Sequence, residues 1–276
     1  GILKELQENS YPAGTVEQKL SDLYKLAMDS ARREKDGLAP VMPLIRRMEA
    51  AKTKEQLFAI QLEMMPYGDA ELFVAYIGAD EKNATQNILN FMQGGLTLGQ
   101  KDYYVENDEA TVKIREAYKK HIVRMFQLYG FKKGVAEKKM KNILKVETAL
   151  AKASKSRTEM RDPIANYNKM ALKELDALCP HLQIERQMNA KGIKSQYIQE
   201  VVVGQVEFMK AADKIFETMT PAEYRDVMEW GQIDGYTGYL NVEVRAANFD
   251  FYGKVLSGRK EDHPLWRRAT SQVQSV

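Results

Sequence analysis

From Ile114 the apolar positions step by four, four, three and four, through Tyr118, Ile122, Met125 and Tyr129, before Gly130 interrupts them. This spacing puts all five on one face of a helix that begins after Asp108, a residue type that caps helix starts. Two more stripes predict long amphipathic helices. One lies within 135–154, with Met140, Ile143, Leu144, Glu147, Leu150 and Ala151 on a face, and the other within 206–219, with Phe208, Ala212, Ile215 and Met219. Start signals are frequent. Thr15 with Gln18 and Thr53 with Gln56 have capping-box spacing, and Thr220, Pro221 and Glu223 supply a cap, a first-turn proline and a box partner. The first heads a stripe of Val16, Leu20, Leu23, Tyr24 and Ala27, expected to end at Gly37. The second heads "LFAIQLEMM", which stops at Pro66. Near the other end Leu265, Ala269 and Val273 step by four.

Strand signals are sparse. "VVV" at 201–203 is too short to separate from buried helix by periodicity, and "GLTL" at 95–98 reads as part of a small hairpin. The expectation is a mainly α fold, a large multi-helix lobe with at most a small hairpin and no extended sheet. No repeat of 20 to 50 residues and no low-complexity linker divides the chain, so 1–276 reads as a single lobe. One segment is out of character: "QGGLTLGQKDYY", residues 93–104, sets three glycines before adjacent tyrosines, between flanks that read as helix.

At 276 residues and 44% hydrophobic, the chain can bury a substantial core. Its 41 Lys and Arg against 38 Asp and Glu leave +3, which makes no electrostatic case for nucleic acid. A single cysteine, Cys179, excludes an intramolecular disulfide and a four-cysteine zinc site, and its expected role is a small buried hydrophobe. No stretch has the apolar length of a membrane span, and there is no signal-peptide pattern. The opening "GILKELQ" is already helical in pattern, and the last stripe runs almost to Val276, so both ends are expected to be cut inside helices.

His121, His181 and His263 lie far apart, and none has the H-E-x-x-H spacing that puts two imidazoles on one helical face around zinc. His121, beside the 109–129 stripe, reads as packed or half-exposed. No phosphate-binding glycine loop of either common type is present, and "ARREK" and "EKKMKN" read as solvated faces. Glu147 is the exception. It falls on the apolar stripe between Leu144 and Leu150, and a buried carboxylate needs a cation or several donors to stay charged. "SRTEMRDP" supplies the nearest cations, so Glu147 is expected to pair with Arg157 or Arg161 and fix how the helix turns into the next loop. These three are structural candidates; no catalytic or metal residue is identified.

Taken in order, "QGGLTLGQKDYY", "ILKVETALAKAS", "SRTEMRDPIANYNKMALKEL" and "NFDFYGKVLSGRKEDHPLWRRA" resemble successive landmarks of the N-terminal part of the neprilysin and endothelin-converting enzyme family of zinc metallopeptidases. The resemblance runs from about residue 15 to Val276. Gly99 stands where the family usually has proline, and Ala269 follows "WRR" where animal members carry a disulfide cysteine, so the chain resembles bacterial members related to oligopeptidase O. The resemblance implies a non-catalytic helical lobe in which 93–104 is an architectural, hairpin-like turn between helices and not a ligand loop. It implies a parent that cuts short peptides on the amino side of hydrophobic residues, in a chamber whose restricted opening excludes folded proteins.

The family's H-E-x-x-H, later glutamate and Asn-Ala-x-Tyr segment belong to the other lobe, and none occurs here. Zinc is therefore expected outside this chain, with no cofactor inside it and the C-terminal catalytic lobe of the same polypeptide as its partner. The implied compartment is the bacterial cell envelope, periplasmic or secreted, with the cytoplasm as the other family location. The rival expectation is a stand-alone helical protein that binds peptides and lacks protease activity.

Overall fold

The structure, a computed structural model, describes residues 2–68 and 72–275, with side chains from Glu5 onward; Gly1 and Val276, the limits of the expected lobe, lie outside them. In chain order the helices are α1 (Ile2–Glu8), α2 (Val16–Met28), α3 (Ser30–Asp36), α4 (Met42–Ala50), α5 (Lys54–Met64), α6 (Asp102–Val105) and α7 (Glu109–Leu128). They continue with α8 (Lys133–Ala153), α9 (Leu172–Leu178), α10 (Ile184–Ala190), α11 (Val206–Thr218), α12 (Pro221–Gly235), α13 (Val242–Asn248) and α14 (Leu265–Gln274). The described residues form two compact units, one built from residues up to Met42 and from Asp234 onward, the other from Pro43–Ile233.

The capping signals act as their chemistry requires. Thr53 accepts the Gln56 N–H while the Gln56 side chain returns to the Thr53 N–H, a complete box. Thr220 and Glu223 exchange the same pair of bonds at 3.2 and 2.8 Å, and Asp108 accepts the Thr111 N–H. The Thr15 start differs in detail: Thr15 accepts from Gln18, but the Gln18 side chain returns to Gly14. Its stripe also breaks earlier than expected. Asp29 ends α2 and caps α3 through the Arg32 N–H, so 16–37 holds two helices.

The sheet exceeds the expected hairpin. It has four strands in the order β1-β2-β4-β3, namely β1 (Phe73–Asp80), β2 (Asn83–Gln93), β3 (Asn168–Ala171) and β4 (Glu200–Val203). β1 and β2 are an antiparallel pair, β2 and β4 run parallel with Leu89 opposite Val201 and Phe91 opposite Val203, and β3 closes the far edge antiparallel to β4. The fold remains mainly α. The missed strands lack an alternating pattern for a physical reason: in β1 only Phe73 and Asp80 are buried, and the polar start of β2 is exposed. The ambiguous "VVV" forms β4, with all three valines buried.

The glycine segment therefore leaves a strand, not a helix, and runs from β2 to α6 without forming a hairpin. A Cβ at Gly94 would stand 2.9 Å from the Phe73 carbonyl carbon, and one at Gly95, whose φ is +72°, would stand 2.8 Å from Leu150. Glycine is needed there because the backbone passes directly over β1 and α8. Tyr104 anchors the far end, buried and accepting the Leu98 N–H at 3.0 Å.

A core of the larger unit combines Phe73, Leu89 and Phe91 of the sheet with Leu57, Leu150, Phe208, Met209 and Met228 of the helices. In the smaller unit Tyr24 and Ala27 of α2 pack with Ala269 of α14, supported by Met28 and Val273.

Candidate functional site

Helix α8 has its apolar face set by Ala136, Ile143, Val146 and Leu150, and that face carries two charged side chains, Lys139 and Glu147, into the interior. Glu147 is 3% exposed. Its Oε1 accepts the Thr97 hydroxyl at 2.5 Å and the Thr97 N–H at 3.4 Å, and the Tyr118 hydroxyl lies 3.1 and 3.0 Å from the two oxygens. Tyr104 adds a third hydroxyl. The Trp230 indole N–H donates to the Tyr118 oxygen at 2.9 Å and to the Thr97 oxygen at 3.2 Å, tying α12 to the same centre.

Burial pushes the Glu147 carboxyl up to about 7, against the hydroxyl bonds that favour its charged form. The expected pair with Arg157 or Arg161 is not what the fold provides. Both arginines are exposed, and the donors come from the glycine segment and α7. Gly94 and Gly95 turn the chain back over α8, so Thr97 reaches a carboxylate 50 residues away in sequence.

Two turns earlier, Lys139 Nζ lies 2.7 Å from Glu49, 2.8 Å from Asp226 and 2.7 Å from Glu229, with the Phe131 ring centre at 4.8 Å. Arg225 adds a second cation, 3.2 Å from Glu49 and 3.3 Å from Asp226, and Asn142 donates to Asp226 at 2.7 Å. Burial pushes the Glu229 carboxyl up to about 8, and the neighbouring Glu49 adds to that, outweighing Lys139. Glu229 thus holds its proton more tightly than an ordinary carboxyl, while the Lys139 and Arg225 contacts keep Glu49 low despite burial. Two cations thus face three acidic side chains, an interior group spanning α4, α8 and α12.

Sequence reasoning missed this group, although a signal existed. Stepping back from Leu150 through Glu147 and Ile143 lands on Lys139, in a run that reads as solvated. Glu49, Asp226 and Glu229 could surround a cation. The Lys139 ammonium is that cation, and no imidazole or thiolate joins the set, so these residues do not suit zinc.

The histidines serve separate ends. His121 is buried edge-on to Trp230, ring centres 5.7 Å apart. His181 is 43% exposed, its Nδ1 2.7 Å from Asp213, which also accepts the His181 and Leu182 backbone N–H groups. It borders a cavity of about 480 Å3 with Lys54, Phe58 and Phe216. His263 belongs to the smaller unit. Cys179 is fully buried, and burial pushes its thiol up to about 12, which leaves it an inert hydrophobe.

Over residues 1–276 the chain matches the sequence model of Peptidase family M13. It is similar to endothelin-converting enzyme 1 of Cavia porcellus, 25% identical over 285 residues, and of Homo sapiens, 26% identical. Each alignment takes in 99% of this chain, but 38% and 37% of those enzymes, so the chain spans under two fifths of their length. Among solved structures it is similar to the Mycobacterium tuberculosis zinc metalloprotease Zmp1 in its open state, with a TM-score of 0.93, 25% identity, and coverage of 99% of this chain and 42% of that one. PepO from Lactobacillus rhamnosis HN001 shares the fold at a TM-score of 0.83 and 18% identity, covering 99% and 43%.

Proposed function

The chain belongs to peptidase family M13, matching its N-terminal region, and from this premise we propose that it is the non-catalytic lobe of a zinc metallopeptidase that hydrolyses short peptides. In this reading the catalytic lobe is a further part of the same polypeptide, and zinc and the reacting groups belong to it. The lobe limits access to the chamber, and the parent cuts on the amino side of hydrophobic residues. The observation that carries this reading is the match along the whole chain to a family whose relatives are more than twice as long. The separation of the three histidines agrees with it, since none is spaced to share a helical face.

The chain's own residues then have a scaffolding task. Glu147 and its hydroxyl donors hold the 94–104 segment against α7, α8 and α12, and the Lys139 group ties α4 to α8 and α12. Among the described residues no helix is long and apolar enough to cross a membrane. We propose the bacterial cell envelope, periplasmic or secreted, as the parent's compartment, with the cytoplasm as the alternative.

Reading the source gene beyond the Val276 codon tests the proposal. An open frame carrying H-E-x-x-H and a later glutamate ligand is the expected result. A stop codon at that point would contradict it.

A further inference from the structure

Arg157 and Arg161, which do not reach Glu147, border a cavity of about 430 Å3 together with Lys101 and Lys155. Two sequence landmarks build it: the glycine segment contributes one wall and "KSRTEMR" the other. Among the described residues Asp102 is the one carboxylate on its lining. Glu159 is close enough to feel Lys101 and Lys155, but its carboxylate is turned to the Ser156 N–H and hydroxyl at 2.7 and 2.6 Å. The cavity therefore has a cationic excess in a chain whose overall charge is nearly balanced.

The wall that carries the arginines is rigidly built for an exposed turn. Asp162 accepts the Ile164 and Ala165 N–H groups. The Asn166 amide donates to the Glu159 and Asp162 carbonyls, and Gln205 donates to Asn166. Gln93 exchanges two bonds with the Lys155 backbone at 3.0 and 2.8 Å, and Lys101 Nζ donates to the Ser154 carbonyl at 2.7 Å. Among the described residues, neither the Arg157 nor the Arg161 guanidinium makes a hydrogen bond or ion pair. Ten donors thus stand on a hydrogen-bonded turn with no acceptor among the described residues, since each guanidinium has five in a planar fork suited to paired oxygens.

We propose that this cavity binds a small, multiply charged oxyanion of the phosphate or carboxylate type, with Arg157 and Arg161 as bidentate ligands and Lys101 and Lys155 as supporting charges. Charge-assisted bonds from a guanidinium pair are stronger than neutral ones, and the hydrogen-bonded turn fixes the backbone that carries both arginines, so binding has only their side chains to order. The site is independent of the peptidase reading, because it needs nothing outside the chain.

The test is calorimetric titration of the full chain with pyrophosphate and with citrate, at ionic strength held constant with chloride. The double variant R157Q/R161Q, whose substituted side chains are exposed and unbonded, should keep its melting temperature and bind at least tenfold more weakly. D102N, which removes the opposing charge, should bind more tightly than the natural chain, and K133Q on a remote surface should bind as before. Preference for pyrophosphate would assign a phosphate ester, and preference for citrate a carboxylate. Absence of heat from both anions, or equal affinity in R157Q/R161Q, would overturn the proposal.

Discussion

Glu147 enters the interior with hydroxyls around it in place of a counter-ion, so its proton is coupled to folding. Its carboxyl rises from 4.5 to about 7 in the fold, which means that the folded chain holds the proton more tightly than the unfolded one. Stability from this group is then highest below about 4.5 and falls as pH rises to 7, by roughly 3 kcal/mol at about 1.4 kcal/mol per pH unit. Glu147→Gln should flatten this slope and raise stability at pH 8, as read by urea unfolding across pH; an unchanged slope would sink the assignment. Trp230 reports locally, because its indole N–H bonds the same hydroxyls. Lys139→Met is expected to cost roughly 3–5 kcal/mol, because it strands buried acids that now share one ammonium. A loss below about 1 kcal/mol in the same unfolding assay would contradict that account. The burial of Glu147 was legible from its place on the α8 stripe. Its partners were not, since Thr97 and Tyr118 lie 50 and 29 residues away and only the folded chain brings them together.

Helix starts were the most legible elements, because a cap and its box partner are three residues apart and need no tertiary context. Thr53→Ala removes the bond to the Gln56 N–H and should lower stability by about 1 kcal/mol in thermal or urea melts, with a change near zero arguing against the box. The sheet was illegible because its strands are short or lie partly in solvent, so alternation never develops. Glycines mark where elements meet. Gly99 has φ +74°, which the proline ring, held near about −65°, cannot adopt. Gly99→Pro should therefore destabilise this chain, while Gly99→Ala, with open space around its Cβ, should cost only about 1 kcal/mol. Equal melting temperatures for the two variants would show that the turn can change its backbone path.

At the scale of the molecule, four landmarks in order pointed to the family before any single residue indicated chemistry. The chain's interior charges serve packing: the carboxylates that could surround an ion already surround Lys139. The central claim is that this is a scaffold lobe of an M13 peptidase whose zinc and reacting groups belong elsewhere in the polypeptide. The most direct measurement is the zinc content of the purified chain by mass spectrometry, taken together with chelator-sensitive hydrolysis of a short peptide. The account predicts no stoichiometric zinc and no hydrolysis. One zinc per chain with cleavage abolished by chelator would contradict it.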